Sequence, residues 1–593
     1  MQENNNKLFR FWKELKRRRV IHVVTVHASA AFVIIELVTN LTEPFNLPAN
    51  LATIAIVILA VGFPLVILLS WFYDLTGQGI EKTKPLSVTE GSEKVKVPDA
   101  WKIATYVSFA LIIGLVTFNI LGGPEQLRAG NTQTIMILPI DNYTGDDQLD
   151  DFISGMHAVL ISDVGRISGL KVLSRITSVA YAEKSISQIV AETGVDVILK
   201  PTFMCLADSI CFHMNEVTLE GEQSWIPDYR ESKSQLPNLT NLITKEIAEE
   251  IRVKLTASEE RMLSESKTVD PDAYEAWING QTYWDQLNQK DLEHAKMYFE
   301  RAIEIDPDWA PPYASLSITW GTLMSFGTVP DSVGLPKQYE YLNKALELDP
   351  NDSDVQFSLA VLAVWTEWDW EKGERAFVAS LERNPNAARS HGYYAHLLII
   401  LRRYEDALNE ARLAMEVDPL NPLIMGLYVV VLTNIGHCEE AREIYETAIS
   451  IDPNHSFLRG KLASIYQCLG DYDKVYELWR DMVYPLWERF GVSELLDRTY
   501  REQGYFAFVE EESRINREIM SKEISFQSWY FFNQNLNLGH YDQAMDYLEM
   551  VYNDHSHNKN IDLAYIGSKP YYDKLKDNPR YIALLKKMNL PVE

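Results

Sequence analysis

The chain is 593 residues long, 47% hydrophobic and 23% charged, with a formal net charge of -28. That length accommodates several domains, and the acidic balance excludes nucleic acid as a main partner, because phosphate binding needs a basic face. Four cysteines, Cys205, Cys211, Cys438 and Cys468, with no CxxC or Cys/His cluster, exclude both a disulfide scaffold and a zinc site.

Residues 1–19 form a basic run in which Lys7, Arg10, Lys13 and Lys16 to Arg19 alternate with Phe9, Phe11 and Trp12. Three apolar stretches follow within 20–123, at 20–41, 51–72 and 103–121; the second and third carry no charged residue. A helix of about 20 apolar residues crosses a bilayer, so these predict a three-helix membrane anchor. No small-residue cleavage site follows a short apolar core, which argues against a cleaved leader. Lysine and arginine cluster before the first stretch and, as Lys82, Lys84, Lys94 and Lys96, between the second and third. By the positive-inside rule the amino terminus is expected in the cytoplasm and everything from Gly122 onwards outside. If the first stretch does not span, the same rule returns the rest to the cytoplasm. Glu36 is an intramembrane carboxylate. It is read as reaching the outer interface or a neighbouring helix rather than as a proton site, because one acidic residue in three helices is little for a transporter.

Residues 124–265 predict a small α/β module. Strands are expected at 134–139, 170–175, 195–205, 211–219 and 225–229, and helices at 150–167, 187–193 and 237–255, giving a mixed sheet covered by helices. Asp141 to Asp147 reads as a loop. The acidic cluster Asp146, Asp147, Asp150 and Asp151 suits the positive end of the following helix better than a metal, and there is no phosphate-binding glycine loop. A three-residue turn at 207–209 would set Cys205 opposite Cys211, within disulfide reach in an oxidising compartment; a two-residue turn would offset them.

Residues 266–593 carry an internal repeat. Prolines 307, 350, 385, 419 and 453 are spaced 43, 35, 34 and 34 apart, and all but Pro385 follow an aspartate. Small and aromatic residues recur ahead of them: Gly280, Ala295, Phe299 and Ala302, then Ala407, Ala411 and Ala414, then Ala441, Tyr445 and Ala448. A period near 34 with small residues at helix-packing positions marks a tetratricopeptide array, an all-α solenoid of helical hairpins. Five repeats are expected to close at those prolines. A partial sixth starts at Asn454, two atypical hairpins lie at 492–520 and 525–551, and a cap ends the chain. Trp365, Trp368 and Trp370 read as packing residues rather than a ligand platform. Cys438 and Cys468, at different places in adjacent hairpins, leave a bond open, with free thiols the preferred reading. His391 and His396, five apart on a helix, share no face, and Asp554 to His557 reads as a loop rather than a metal site. No catalytic motif is present, no cofactor is called for, and no block is left over for a catalytic domain. The concave groove is the expected contact for a protein partner.

The opening Phe11 to Val20, Gly62-Phe63-Pro64 and Ser70 to Ile80 resemble the anchor of bacterial membrane tetratricopeptide proteins of the TolB-like, adenylate-cyclase-associated type. The sequence departs from that pattern at Arg19, where asparagine is usual, and at Glu36, where glutamine is. Ile137-Leu138-Pro139, Gly145 to Asp147, Phe152, Gly155, Leu170 to Arg175 and Gly194 to Leu199 are similar to TolB-amino-terminal-like or FlgO-like domains, with Lys200-Pro201 in place of the usual Glu-Gly. The tail Tyr571 to Leu590 is similar to the carboxy-terminal cap of the same proteins. The resemblance implies a membrane-anchored, extracytoplasmic scaffold or sensory adaptor that binds protein through its repeats, without enzymatic activity. Two rivals are weighed against it: a cyclase-type enzyme, and a transmembrane regulator acting through a separate partner.

Overall fold

The computed structural model describes residues 73–76, 79–82 and 133–592, with gaps at 147–149, 207–208, 219–220, 232–235, 252, 254, 257–258, 261–268, 519–527 and 554–560. The chain divides into two units, Met1–Ala129 and Gly130–Glu593. In the first, β1 (Tyr73–Thr76) and β2 (Gly79–Lys82) form an antiparallel hairpin. The three apolar stretches and Glu36 lie outside the described residues. Among the described residues no helix is long and apolar enough to cross a membrane.

The second unit begins with a mixed sheet. Its strands are β3 (Gln133–Ile137), β4 (Asp141–Tyr143), β5 (Leu170–Val172), β6 (Val197–Leu206), β7 (Ser209–Thr218) and β8 (Gly221–Glu231). The order is β5-β3-β6-β7-β8, with β4 also pairing β6; the pairs among β3, β4, β5 and β6 are parallel, and β6-β7-β8 is an antiparallel meander. Helices α1 (Asp150–Gly165), α2 (Arg175–Ala180), α3 (Ile186–Thr193) and α4 (Leu236–Glu250) accompany it. Ile135 and Ile137 share one buried layer with Met156, Leu160, Val164 and Ile247, while Met136 and Ile198 share another with Ile189 and Tyr181. Alternate residues of β3 therefore feed two cores, which is why the strand reads as a continuous apolar run.

Two elements differ from expectation. The stretch 170–175 leaves strand geometry at Val172, because Ser174 caps a helix: its Oγ accepts from the Thr177 N–H at 3.2 Å. The segment 141–147, read as a loop, contains β4, which prolongs the β3 edge along β6. The β6–β7 register also decides the first cysteine pair. The turn has two residues, so Cys205 stands opposite Ile210 and Cys211 opposite Met204. This is the one-residue offset expected of a two-residue turn.

The helical part follows the repeat. Its hairpins are α5 (Pro271–Asp285) with α6 (Gln289–Ile305), α7 (Ala310–Ser325) with α8 (Asp331–Leu348), α9 (Ser353–Val361) with α10 (Trp370–Arg383), α11 (Ala388–Ile400) with α12 (Tyr404–Val417), and α13 (Pro422–Ile435) with α14 (Cys438–Ile451). A sixth comprises α15 (Ser456–Arg459), α16 (Leu462–Leu469) and α17 (Tyr472–Arg489). Then come α18 (Ser493–Gln503) with α19 (Tyr505–Glu518), and α20 (Ser528–Asn537) with α21 (Tyr541–Asn553). The tail holds a 3-10 turn at Ile561–Gly567, α22 (Lys569–Leu575) and α23 (Pro579–Lys587).

The Asp-Pro steps have a local cause. Asp306, Asp349, Asp418 and Asp452 are helix C-caps in extended or intermediate backbone, as a residue before proline must be. In three of them a side-chain oxygen accepts the N–H two residues on: Asp306 from Asp308 at 3.3 Å, Asp349 from Asn351 at 2.9 Å and Asp452 from Asn454 at 3.0 Å. Asn384, before Pro385, makes the same bond to Asn386 at 3.0 Å, which explains why the repeat tolerates asparagine there. The next helix begins three residues after each proline, not at it.

The repeat residues are placed as follows. Ala295, Phe299, Ala302, Ala407, Ala441 and Ala448 are fully buried, and Ala411 and Tyr445 nearly so. Gly280 lies on α5 against the Phe299 ring, where a Cβ would stand 2.4 Å from Cε1 and 2.6 Å from Cδ1. Gly280→Ala would raise helix propensity by about 1 kcal/mol, but the fully buried Phe299 ring would have to shift to admit the methyl group. A net loss of about 1–3 kcal/mol is expected in urea unfolding.

Cys438 and Cys468 form a disulfide across 30 residues, with Cα atoms 5.6 Å apart, rather than standing as free thiols. Cys438 opens α14 and Cys468 lies near the end of α16, and the packing of these neighbouring helices brings the two together. Replacing both by serine is expected to cost about 3 kcal/mol. The same loss should appear in wild type on reduction, and should be absent on reducing the double variant.

Candidate functional site

In a tetratricopeptide hairpin the first helices, here α5, α7, α9, α11 and α13, turn towards the inside of the curve. Two parts of the chain pack onto the array. The tail folds back onto the middle repeats: Trp370 Nε1 donates to the Met588 carbonyl at 2.7 Å, and His396 Nδ1 meets the Tyr565 hydroxyl at 2.8 Å. Arg402 lies 3.8 Å from the Tyr572 ring centroid, and Trp368 stacks on Tyr552. Leu563, Ile566, Leu575, Tyr581 and Leu585 thereby join one core with Leu397, Leu427 and Leu432. The expectation of a cap confined to the solenoid end is corrected here. The three tryptophans at 365, 368 and 370 all pack within the protein.

The α/β module meets the turns that close the third and fourth repeats. Asn386 Nδ2 donates to the Gly165 and Leu170 carbonyls at 2.8 and 2.9 Å, and its Oδ1 accepts the Val172 N–H at 3.0 Å. Asp418 accepts from the Ser174 hydroxyl and, at 3.4 Å, from Thr177. Burial pushes the Asp418 carboxyl up to about 6, against the hydrogen bonds from Ser174 and Asn421.

A small crevice with room for little more than a water lies among the first four repeats. It is lined by Gln281 and Trp284 from α5, Phe299 from α6, Ser315 and Ile318 from α7, Asp354 and Phe357 from α9, and Arg389 from α11. Asp285, 5% exposed, ends α5 beside Trp284. Arg389 Nη2 and Nε reach an Asp285 oxygen at 2.8 and 3.0 Å, and the same guanidinium donates to the side chain and carbonyl of Gln281. Asn421 Nδ2 donates to Asp285 at 3.3 Å, and His455 Nε2 meets its carbonyl at 2.9 Å. The end of α5 thus gathers residues from the fourth, fifth and sixth repeats. Ser315 Oγ accepts from Trp277 Nε1 at 2.8 Å and Gln281 Nε2 at 2.9 Å, and donates to the Pro311 carbonyl at 2.9 Å. Burial, followed by the charge of Asp352, raises the Asp354 carboxyl to about 7, with Arg389 and Arg166 opposing.

Apart from Phe299, none of these cleft residues stands out in the sequence, although the paired Trp284-Asp285 and the lone Arg389 are polar groups on helices otherwise read as packing. His391 and His396 are buried and separate: His391 pairs with Glu410 at 2.6 Å, and His396 lies between Tyr565 and the Leu427 carbonyl. Among the described residues no group of three or more histidine, cysteine or acidic side chains could hold a metal. The stretch Asp554 to His557 lies outside the described residues.

His157 of α1 donates Nε2 to the Ile137 carbonyl at 2.9 Å and is pushed down to about 4 by burial. The unfolded chain therefore takes up a proton near pH 6.5 that the folded chain refuses. His157 favours folding fully above about pH 6.5, and that contribution of ~3 kcal/mol is lost as pH falls to 4. Asp418 and Asp354, raised in the fold, oppose this slope. His157→Gln should therefore flatten the wild-type acid loss by about 2.4 kcal/mol between denaturant melts at pH 7 and pH 4.5.

Comparison with known proteins agrees with the repeat. The family model described as "Tetratricopeptide repeat" matches residues 286–308 and 426–455. "Putative adenylate cyclase 3" of Rhizobium meliloti (strain 1021) is 30% identical over 250 residues, 41% of this chain and 42% of that protein. "Tetratricopeptide repeat-containing protein trd-1" of Caenorhabditis elegans is 25% identical over 167 residues, 27% of this chain and 20% of that one. The chain spans less than half the length of either relative. Among solved structures, YrrB, "a TPR protein with an unusual peptide-binding site", aligns with 34% of this chain and 96% of its own at 18% identity and TM-score 0.20. The human IFIT1 dimer with PPP-AAAA aligns with 59% and 78% at 17% identity and TM-score 0.32. Both scores are below 0.5, so neither structure informs the ligand. Matched segments, buried alanines and capped Asp-Pro turns agree that the helical part of this chain carries tetratricopeptide repeats, in a mostly helical solenoid joined to a small sheet.

Proposed function

We propose that the chain is a membrane-anchored, extracytoplasmic scaffold or sensory adaptor that binds a protein partner in the Gln281–Trp284–Asp354–Arg389 cleft and catalyses no reaction. The observation that carries this reading is the crevice itself, lined by polar and aromatic residues from four successive hairpins. Three apolar stretches and the lysine and arginine placement support the anchor and its topology. The Cys438–Cys468 bridge suits an oxidising compartment outside the cytoplasm. The motif resemblance supports reading the sheet module as TolB-amino-terminal-like.

A photo-cross-linking amino acid placed at Gln281 tests the binding reading against one at Met297, an exposed position on α6. Protein adducts are expected from position 281 alone; equal labelling, or none, overturns the cleft. Carboxy-terminal fusions to alkaline phosphatase and to green fluorescent protein test the topology. Fluorescence without phosphatase activity would place the array in the cytoplasm.

A second reading draws on the Rhizobium relative: a part in a cyclase-type signalling system, with output through a partner. Cyclic nucleotide formation by the purified chain would replace the scaffold reading with an enzymatic one.

A further inference from the structure

The charged residues of the crevice belong to a larger cluster that joins the array to the α/β module. From the module come Asp163, at the end of α1, and Arg166 just beyond it. From the array, Asp285 ends α5, Asp352 caps α9 and Asp354 lies in its first turn. Arg389 lies on α11, and Asp418 ends α12. Each acts on the next through its charge: Arg166 on Asp163, Asp352 and Asp354, Arg389 on Asp354 and Asp285, and Asp418 on Asp285. Tyr274 and Tyr393 face the same groups, and His455 meets the Asp285 carbonyl. Asp163, Asp285 and Asp418 are buried, and Asp352 and Asp354 half-buried. Five carboxylates against two guanidinium groups would leave three negative charges uncompensated.

A site with little water does not hold such an excess, so a carboxylate in it keeps its proton to a higher pH than in solution. Asp354 feels this most among the acids whose rise has a value, standing at about 7, with Asp418 at about 6. As the pH passes neutrality Asp354 ionises, and its charge needs water. Within the array the cluster is walled by α5, α6, α7, α9 and α11, which share one apolar core and resist parting. The module adds Ala158 and Val159 to that core and takes Leu420 into its own. Its contacts at Asn386, Glu416 and Asp418 are polar. The module side is therefore the wall that gives. We propose that the seam between the α/β module and the array is a proton-operated clamp, shut while Asp354 is protonated and loosened when it is ionised. The clamp does not depend on what the crevice binds. Its sign follows from linkage: a carboxyl raised in the docked state favours docking below its raised value, and that preference is lost as the pH rises to it.

Two backbone bonds cross the seam and report docking directly: Val172 N–H to Asn386 Oδ1 and Ser174 N–H to the Val417 carbonyl, both at 3.0 Å. Hydrogen exchange of the full-length chain in detergent, scaled to intrinsic amide rates, reads them between pH 5 and 9. Their protection is expected to fall about twentyfold from pH 6 to pH 8, tenfold from Asp354 and twofold from Asp418, and to level off above about pH 8. Asp354→Asn keeps the shape without the titration and should leave about the twofold fall. Leu432, buried in α13, serves as the internal control, and its protection should stay constant. Equal protection of the seam at pH 6 and pH 8 overturns the clamp. So does a twentyfold fall that persists in Asp354→Asn, or an equal fall at Leu432, which would mean that the whole array loosens. The wild-type profile decides even if the variant fails to fold: a fall that ends below about pH 5, where ordinary carboxylates titrate, also overturns it.

Discussion

Ending the chain at Asn553 is expected to abolish cooperative unfolding of the helical array and to leave aggregating material in gel filtration. The tail buries Leu563, Ile566, Leu575, Tyr581, Leu584, Leu585, Met588 and Leu590 at 4% exposure or less. At about 1.5–3 kcal/mol per large apolar side chain, the gross loss is about 12–24 kcal/mol. That matches or exceeds the whole stability of an ordinary domain. The loss is not confined to the end of the solenoid, because the tail's neighbours are the inner faces of α11 and α13, in the fourth and fifth repeats. A simple end cap would instead leave the first five repeats folded. A truncated chain that keeps a sharp melting transition would refute the fold-back arrangement.

Arg389→Met is expected to destabilise the chain by about 3–5 kcal/mol in urea unfolding, the usual cost of leaving one partner of a buried ion pair uncompensated. Among the described residues, Asp285 would then keep Asn421 at 3.3 Å as its side-chain donor, in a site 5% exposed. Asp285→Asn combined with Arg389→Met should recover part of the loss, because the unpaired charge is gone. The effect would spread beyond one hairpin, since the end of α5 also receives His455 from the sixth repeat. If each single substitution costs less than about 1 kcal/mol, the pair is peripheral and the curl of the array has another cause.

The covering of the middle repeats could be read from one helix. In α13, Leu423, Ile424, Met425, Leu427, Tyr428, Val429, Val431 and Leu432 are all buried. A helix apolar on every side needs cover on every side, and two neighbouring hairpins supply only part of it. The run Leu397 to Ile400 on α11 makes the same demand. Neither names the tail as the cover, since hydrophobic burial has no direction and any apolar segment would serve.

What the sequence determined by itself was local or periodic. The spacing of Asp-Pro steps sets the hairpins, because proline bars the helix and the preceding Asp or Asn closes the turn with its own side chain. Alternation and apolar runs set the sheet module, apart from Ser174, whose capping bond turned a strand into a helix, and the two-residue turn that put Cys205 and Cys211 out of register. Tertiary structure decided what depends on residues far apart in the chain. It joined Cys438 to Cys468 across two packed helices, laid the tail on repeats whose own pattern says only that they need cover, and brought Asp285 to Arg389 across 104 positions. Such contacts follow from the curvature of stacked hairpins. That curvature is the sum of small packing angles between neighbours, and no single repeat carries it.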